Sequence, residues 1–148
     1  MTTTNIQRRL TVGMMAFSLL IGSRLAAGAQ EKAKAEAAAQ QSAEAWLALV
    51  DAGDYGGSWQ QSAEAFKSAV SQEKWESALQ GTRSPLGKIL SRKLKSASYT
   101  KTLPGAPDGE YVVIQYESSF EHKQAATETI VPMLEKDGKW RISGYFIK

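Results

Sequence analysis

Apolar residues repeat with two rhythms along this chain, and the change falls near Leu90. Before it the spacing is helical. Over residues 30–50, Ala35, Ala39, Ala43, Trp46 and Val50 recur three or four positions apart, which predicts a helix with one inward stripe. Its first turns are alanine and charge, and alanine is the strongest helix former. Ala52-Gly53 supplies the stop, because glycine accepts the left-handed cap. Over residues 54–70, Trp59, Ala63, Phe66 and Val70 predict a second helix, with Ser58 and Gln61 as a capping box. Trp75, Ala78 and Leu79 mark a third, from residue 71 or 72 to residue 80, ended by Gly81 and followed by Pro85.

Beyond Leu90 the period becomes two. Residues 92–101 are one strand candidate. Residues 103–109 (LPGAPDG) form a loop rich in proline and glycine. In residues 110–122, Val112, Ile114, Tyr116 and Phe120 share one face with Ser118, while Gln115, Glu117, Ser119 and Glu121 lie on the other. That alternation predicts a strand with one packed and one wet side. Residues 125–135 are the next strand, and Pro132 within it requires an edge or a bulge. Asp137-Gly138 is a two-residue hairpin turn into the last strand, residues 139–148. The order implies an α+β fold: three N-terminal helices packed on one face of an antiparallel sheet of about four strands.

The first 29 residues read as an address, not as fold. Arg8 and Arg9 precede an apolar run of about 12 residues, and Ala27-Gly28-Ala29 closes the segment. A basic start, a short apolar run and a small-residue end make a secretory signal peptide. A membrane span needs about 20 apolar residues, so an uncleaved anchor is the weaker reading. Gln7 and Leu10-Thr11 fit a twin-arginine signal poorly, which favours ordinary export. The expected product is one domain, residues 30–148, periplasmic or secreted, with no transmembrane segment once the signal is removed.

Cleavage also changes the charge. The whole chain has 18 basic and 15 acidic residues, and the leader takes Arg8, Arg9 and Arg24 with it. The mature chain is then balanced, which removes whole-chain basicity as a case for nucleic acid. There is no cysteine, so thiol catalysis and cysteine-ligated zinc are excluded. No calcium loop, phosphate-binding loop or nucleophile elbow occurs, and no cofactor is implied.

Within that balance the charge is uneven. Arg83, Lys88, Arg92, Lys93, Lys95 and Lys101 fall in a stretch without a single acid. Arginine suits two-pronged contact with carboxylate or phosphate, and Gly87 would let a ligand approach the backbone. The stretch therefore has three readings: a site for an anion or acidic partner, attachment to an anionic membrane surface, or scaffold. In the scaffold reading Arg83 and Arg92 pair with acids of the helices, and the lysines keep an edge strand from pairing. Glu128 is the one carboxylate flanked on its own face by Ala126 and Ile130, so it is the candidate general base, with Tyr99, Tyr116 and Tyr145 as candidate donors to an oxyanion. Arg83 or Arg92 would neutralise it equally well. His122, the only histidine, sits at a strand end and reads as an exposed loop residue.

Several of these residues carry a resemblance. Ser58-Trp59, Trp75, Arg83-Ser84-Pro85-Leu86-Gly87, Ser91-Arg92, the run from Leu103 to Tyr111, Asp137-Gly138-Lys139-Trp140 and Gly144-Tyr145-Phe146-Ile147 resemble the exported bacterial family known as domain of unknown function 4019. The spaced R-x-P-x-G and P-G-x-P-x-G-x-Y elements carry most of the likeness, which covers about 100 of the 148 residues. The resemblance implies export and a curved, cone-like helix-on-sheet fold similar to nuclear transport factor 2 and the cystatin-like group. It implies no activity. The expected function is a non-enzymatic binding or interaction module for a small molecule, a peptide or a protein, with Arg83, Arg92, Lys93, Lys95, Tyr116 and Glu128 as candidate binding residues. The alternative is a small isomerase or hydrolase that uses a buried carboxylate inside the cone. Sheet faces in such folds pair, so a homodimer is a further expectation.

Overall fold

The computed structural model describes residues 19–148, and their side chains from Arg24 onward. Residues 1–18, most of the predicted leader, lie outside the described residues. Residues Lys32–Lys148 form one compact unit. The elements run α1 (Leu19–Asp51), α2 (Tyr55–Gln60), α3 (Glu64–Ala69), α4 (Gln72–Thr82), a 3-10 turn at Ser84–Leu86, then β1 (Ile89–Thr100), β2 (Tyr111–Phe120), β3 (Lys123–Leu134) and β4 (Trp140–Ile147).

The α+β order holds, but two features of the expected fold do not. The described residues form four α-helices, not three. The predicted second helix breaks into α2 and α3 because Ala63 is extended and donates its N–H to the Ile142 carbonyl of β4 at 2.8 Å. A helical N–H bonds within its own helix; this one is spent on the sheet. The expected capping box is also absent: Asp54 caps α2 by accepting from the Gly57 N–H, and Ser58 lies inside the helix. The second correction concerns the sheet. It is an open meander in the order β1-β2-β3-β4, each strand paired only with its sequence neighbours. β1 and β4 remain its two edges, so it does not close or curl into a cone.

Register fixes which side chains face the helices. Leu94–Tyr116–Glu128 form one row across β1, β2 and β3, and Ala97–Ile114–Ile130–Tyr145 another across all four strands. Pro132 lies on β3, an interior strand, where the register shifts between Val131 and Pro132. The bulge tolerates a residue with no N–H to donate. The core joins Ala39, Ala43, Trp46, Leu47 and Val50 of α1 to Trp75 and Leu79 of α4 and to Val112, Ile114, Ile130 and Ile142 of the sheet. Trp46 meets Tyr145 edge-on at 5.3 Å between ring centroids, and Phe66 meets Trp75 at 5.0 Å.

Two serines make room for indole N–H groups in this core. Ser58 and Ser62 are fully buried. Trp46 donates to the Ser58 carbonyl at 2.8 Å, and Trp75 donates to Ser58 Oγ at 3.0 Å. A buried indole N–H without a partner is costly, so these serines are packing residues with a polar duty.

Candidate functional site

The inner face of the sheet carries a polar cluster drawn from neighbouring rows, and Arg83, Arg92 and Glu128 of the candidate residues converge on it. Arg92 of β1 stands opposite Ser118 of β2. Serine is small, so the guanidinium lies across β2 and reaches Glu128 on β3. Arg92 Nε donates to Glu128 Oε2 at 2.6 Å and Nη2 to Oε1 at 3.1 Å. Ser118 Oγ donates to Oε2 at 2.5 Å, and the Tyr145 hydroxyl of β4 donates to Oε1 at 2.6 Å. Each carboxylate oxygen thus accepts two hydrogen bonds, which fills a carboxylate's four acceptor positions. The Glu128 side chain is wholly buried.

The other side of Arg92 faces the end of α1. Nη1 donates to Asp51 Oδ2 at 2.7 Å and Nη2 to Oδ1 at 3.0 Å. Arg83, the C-cap of α4, donates from Nη2 to the same Oδ1 at 3.0 Å. Its Nη1 donates to the Gly87 carbonyl at 2.6 Å, and its guanidinium lies 4.5 Å from the centre of the Phe120 ring. Two arginines therefore meet two carboxylates, and the cluster is electrically balanced. It ties α1, α4, β1 and β3 together.

The titration shifts follow from this packing. Burial pushes the Asp51 carboxyl up, but hydrogen bonds and charge from Arg92, then Arg83, outweigh it and hold the group below its ordinary value. Burial works against the Arg92 charge, yet Asp51 and Glu128 raise its affinity for the proton. Tyr145 is raised by burial and by the Glu128 charge it faces. Tyr116 is pushed up to about 12, by burial first and by Glu44 second. Its hydroxyl is buried and has no hydrogen-bond partner. Arg83 Nε is the other buried side-chain polar atom without one among the described residues.

The candidate residues thus divide. Arg83, Arg92 and Glu128 come together through Asp51. Tyr116, paired with Glu128 in the β2–β3 register, lies beside them but donates to none of them. Lys93 and Lys95 are exposed; Lys93 faces Glu117 on the outer side of the sheet, and Lys95 falls in the bulge between Leu94 and Ser96. His122 is exposed in the turn between β2 and β3. The described residues contain no group of three or more side chains placed to hold a metal ion, and no helix among them is long and apolar enough to cross a membrane.

The glycine and proline signatures also take a place in this geometry. Gly87 has φ +75°, and a Cβ there would stand 2.5 Å from Glu121 Oε2, the oxygen that accepts the Lys88 N–H. Arginine, proline and glycine in R-x-P-x-G thus serve one purpose: turning α4 into β1 while Arg83 points inward. In the second signature, Tyr111 donates its hydroxyl back to the Pro107 carbonyl at 2.7 Å, which folds the loop over the start of β2. A family model described as "Protein of unknown function (DUF4019)" matches residues 42–145. The chain belongs to the DUF4019 family. No curated protein matches it. In this DUF4019 chain the matched segment contains Asp51, Arg83, Arg92, Ser118, Glu128 and Tyr145, so the whole cluster lies inside the family domain.

Asp51, Ser118 and Tyr145 were not among the candidate binding residues, although Tyr145 was considered as a donor. Asp51 had a signal in the spacing. Ala43, Leu47 and Asp51 succeed one another at four-residue steps, which places the acid at the end of a buried row.

One groove opens on the same unit. It has a volume of ≈ 380 Å3 and lies between α1, the end of α2 and the turn into β4. Trp46, Trp140, Gln60, Gln61, Lys139 and Arg141 are on its walls. Arg141 also pairs with Glu135 and Asp137.

Proposed function

We propose that this DUF4019 protein is an exported, non-enzymatic binding module that works in the periplasm or outside the cell. The reading rests on one observation: all four acceptor positions of Glu128 are taken by donors of the fold itself. A general base needs a lone pair free for the substrate's proton. Freeing one here means breaking a hydrogen bond from Arg92, Ser118 or Tyr145 inside a fully buried site, and a buried polar group left short of its partner is costly. The carboxylate is therefore spent on holding β1, β2 and β4 to β3 and on fixing the arginine that reaches Asp51 of α1.

Binding then falls to the surface. The ≈ 380 Å3 groove is within the size range of small-ligand sites. Lys139, the two glutamine amides and the half-buried Trp140 on its walls suit a polar ligand with hydroxyl or acidic groups. Export is supported by where the compact unit starts. It begins at Lys32, just after the predicted cut at Ala29. A second reading, a homodimer through the outer sheet face, is favoured by Phe146, which is 59% exposed on that face.

Weighing the protein intact under non-denaturing conditions, after recovery from its own compartment, separates these readings. The expected result is one chain carrying an added small mass that Trp140→Ala loses. Twice the chain mass would favour the sheet-face dimer. A bare single chain, with turnover of a substrate that Glu128→Gln abolishes, would contradict the proposal.

A further inference from the structure

Gln30 becomes the first residue if the predicted cut occurs, and it then acquires a reaction that the uncut chain cannot perform. This inference rests on the export reading. Every residue from Arg24 to Lys34 is exposed, and the first buried one among the described side chains of α1 is Ala39. A Cβ built on Gly28 would meet nothing within 4 Å. This part of α1 therefore has helical hydrogen bonds but no buried side chain to hold it, with a glycine in its interior. Such a segment opens to a peptidase at little cost, while the unit from Lys32 onward keeps its core.

We propose that the new N-terminal Gln30 closes to pyroglutamate. The α-amino nitrogen attacks the carboxamide carbon, Cδ, of its own side chain. A C–N bond forms, the bond from Cδ to the amide nitrogen breaks, and a proton from the attacking amine leaves with that nitrogen as ammonia. No oxidant, reductant or activated co-reactant is needed. The product is a neutral five-membered lactam. Two consequences follow. The positive α-amino group, which would sit at the positive end of the α1 dipole, is removed. The chain also loses the free amine that aminopeptidases require, which protects its exposed lead in a compartment that contains proteases.

Intact mass and N-terminal sequencing of protein recovered from the periplasm or medium test this directly. The expected mass is that of residues 30–148 less one ammonia, with sequencing blocked until pyroglutamyl aminopeptidase removes the first residue. Gln30→Ala should give the unreduced mass of its own chain and a readable start at the alanine. A chain that starts at Gln30 with its full mass and a readable first residue would overturn the cyclisation and leave the export reading standing. A chain that keeps its leader, or starts elsewhere, would overturn both.

Discussion

Arg92 on β1 meets Glu128 on β3 across an intervening strand, in a two-pronged contact at 2.6 and 3.1 Å. Strand neighbours alone would not bring them together. The contact needs Ser118 between them, small enough to lie beneath the guanidinium and polar enough to share the carboxylate. Removing the cation leaves Glu128 buried without its counter-charge. Arg92→Ala should therefore cost about 3 kcal/mol or more. Lys95→Ala, at an exposed position without a partner to lose, should stay within about 0.5 kcal/mol. Urea unfolding midpoints of the two variants check the contrast, and equal, negligible shifts would remove the scaffold role of Arg92.

Asp51 sets an acid limit. Its carboxyl is held below its ordinary 3.8 in the folded chain. A depressed folded value means that the unfolded chain binds the proton first. The stabilisation is then complete above pH 3.8 and is lost as pH falls through the lower folded value. Thermal melts should be flat in this contribution above about pH 5 and should decline below about pH 4. Asp51→Asn should start from a lower stability at neutral pH and show a shallower acid decline. An unchanged acid slope would show that Asp51 contributes nothing to it.

Tyr116 gives an expectation of opposite sign. Its hydroxyl is buried and unpaired, and leaving such a group unsatisfied costs about 1–3 kcal/mol. Tyr116→Phe removes the hydroxyl and keeps the ring. It should be neutral or raise stability by about 1 kcal/mol, read from the urea midpoint. The wild-type group, pushed up to about 12, should also escape the ordinary tyrosine titration near pH 10 in ultraviolet absorbance. A clear loss of stability on substitution would reveal a partner for the hydroxyl, such as a buried water.

Gly87 tests the turn from α4 into β1. With φ +75° and Glu121 Oε2 2.5 Å from any Cβ, alanine there is strained and crowded at once. Gly87→Ala should cost about 1–3 kcal/mol, whereas Gly81→Ala, which meets nothing within 4 Å, should gain up to about 1 kcal/mol from helix propensity. Denaturant titrations of both decide it. A similar effect at both sites would show that the conformation of Gly87 is not required.

Much of this architecture was legible in the chain, and the parts that were not have a common cause. The period-two run from Val112 to Phe120 and the Asp137-Gly138 turn carry their own geometry, so β2 and the last hairpin could be placed from local signals. The break between α2 and α3 could not, because Ala63 leaves the helix for a carbonyl on β4, 79 positions away in sequence. The helical spacing from Trp59 to Val70 persists through that break, since Trp59, Phe66 and Val70 all pack against the core. Arg83, Arg92 and Glu128 stood out as unusual charges. Their common partner Asp51 did not, because it reads as the polar end of a helix until the sheet is folded against it. Curvature was the least legible. No residue pattern of the four strands encodes a cone, and that expectation came from resemblance alone.

A double-mutant cycle on Arg92→Met and Glu128→Gln tests most directly whether the buried carboxylate is consumed by the fold. Each single substitution leaves one member of the pair without its counterpart, and the double variant removes both. Unfolding free energies should show a coupling of about 2 kcal/mol, the double costing less than the two singles together. Additivity within about 0.5 kcal/mol would mean that the two groups do not hold one another, and Glu128 would again be available for chemistry.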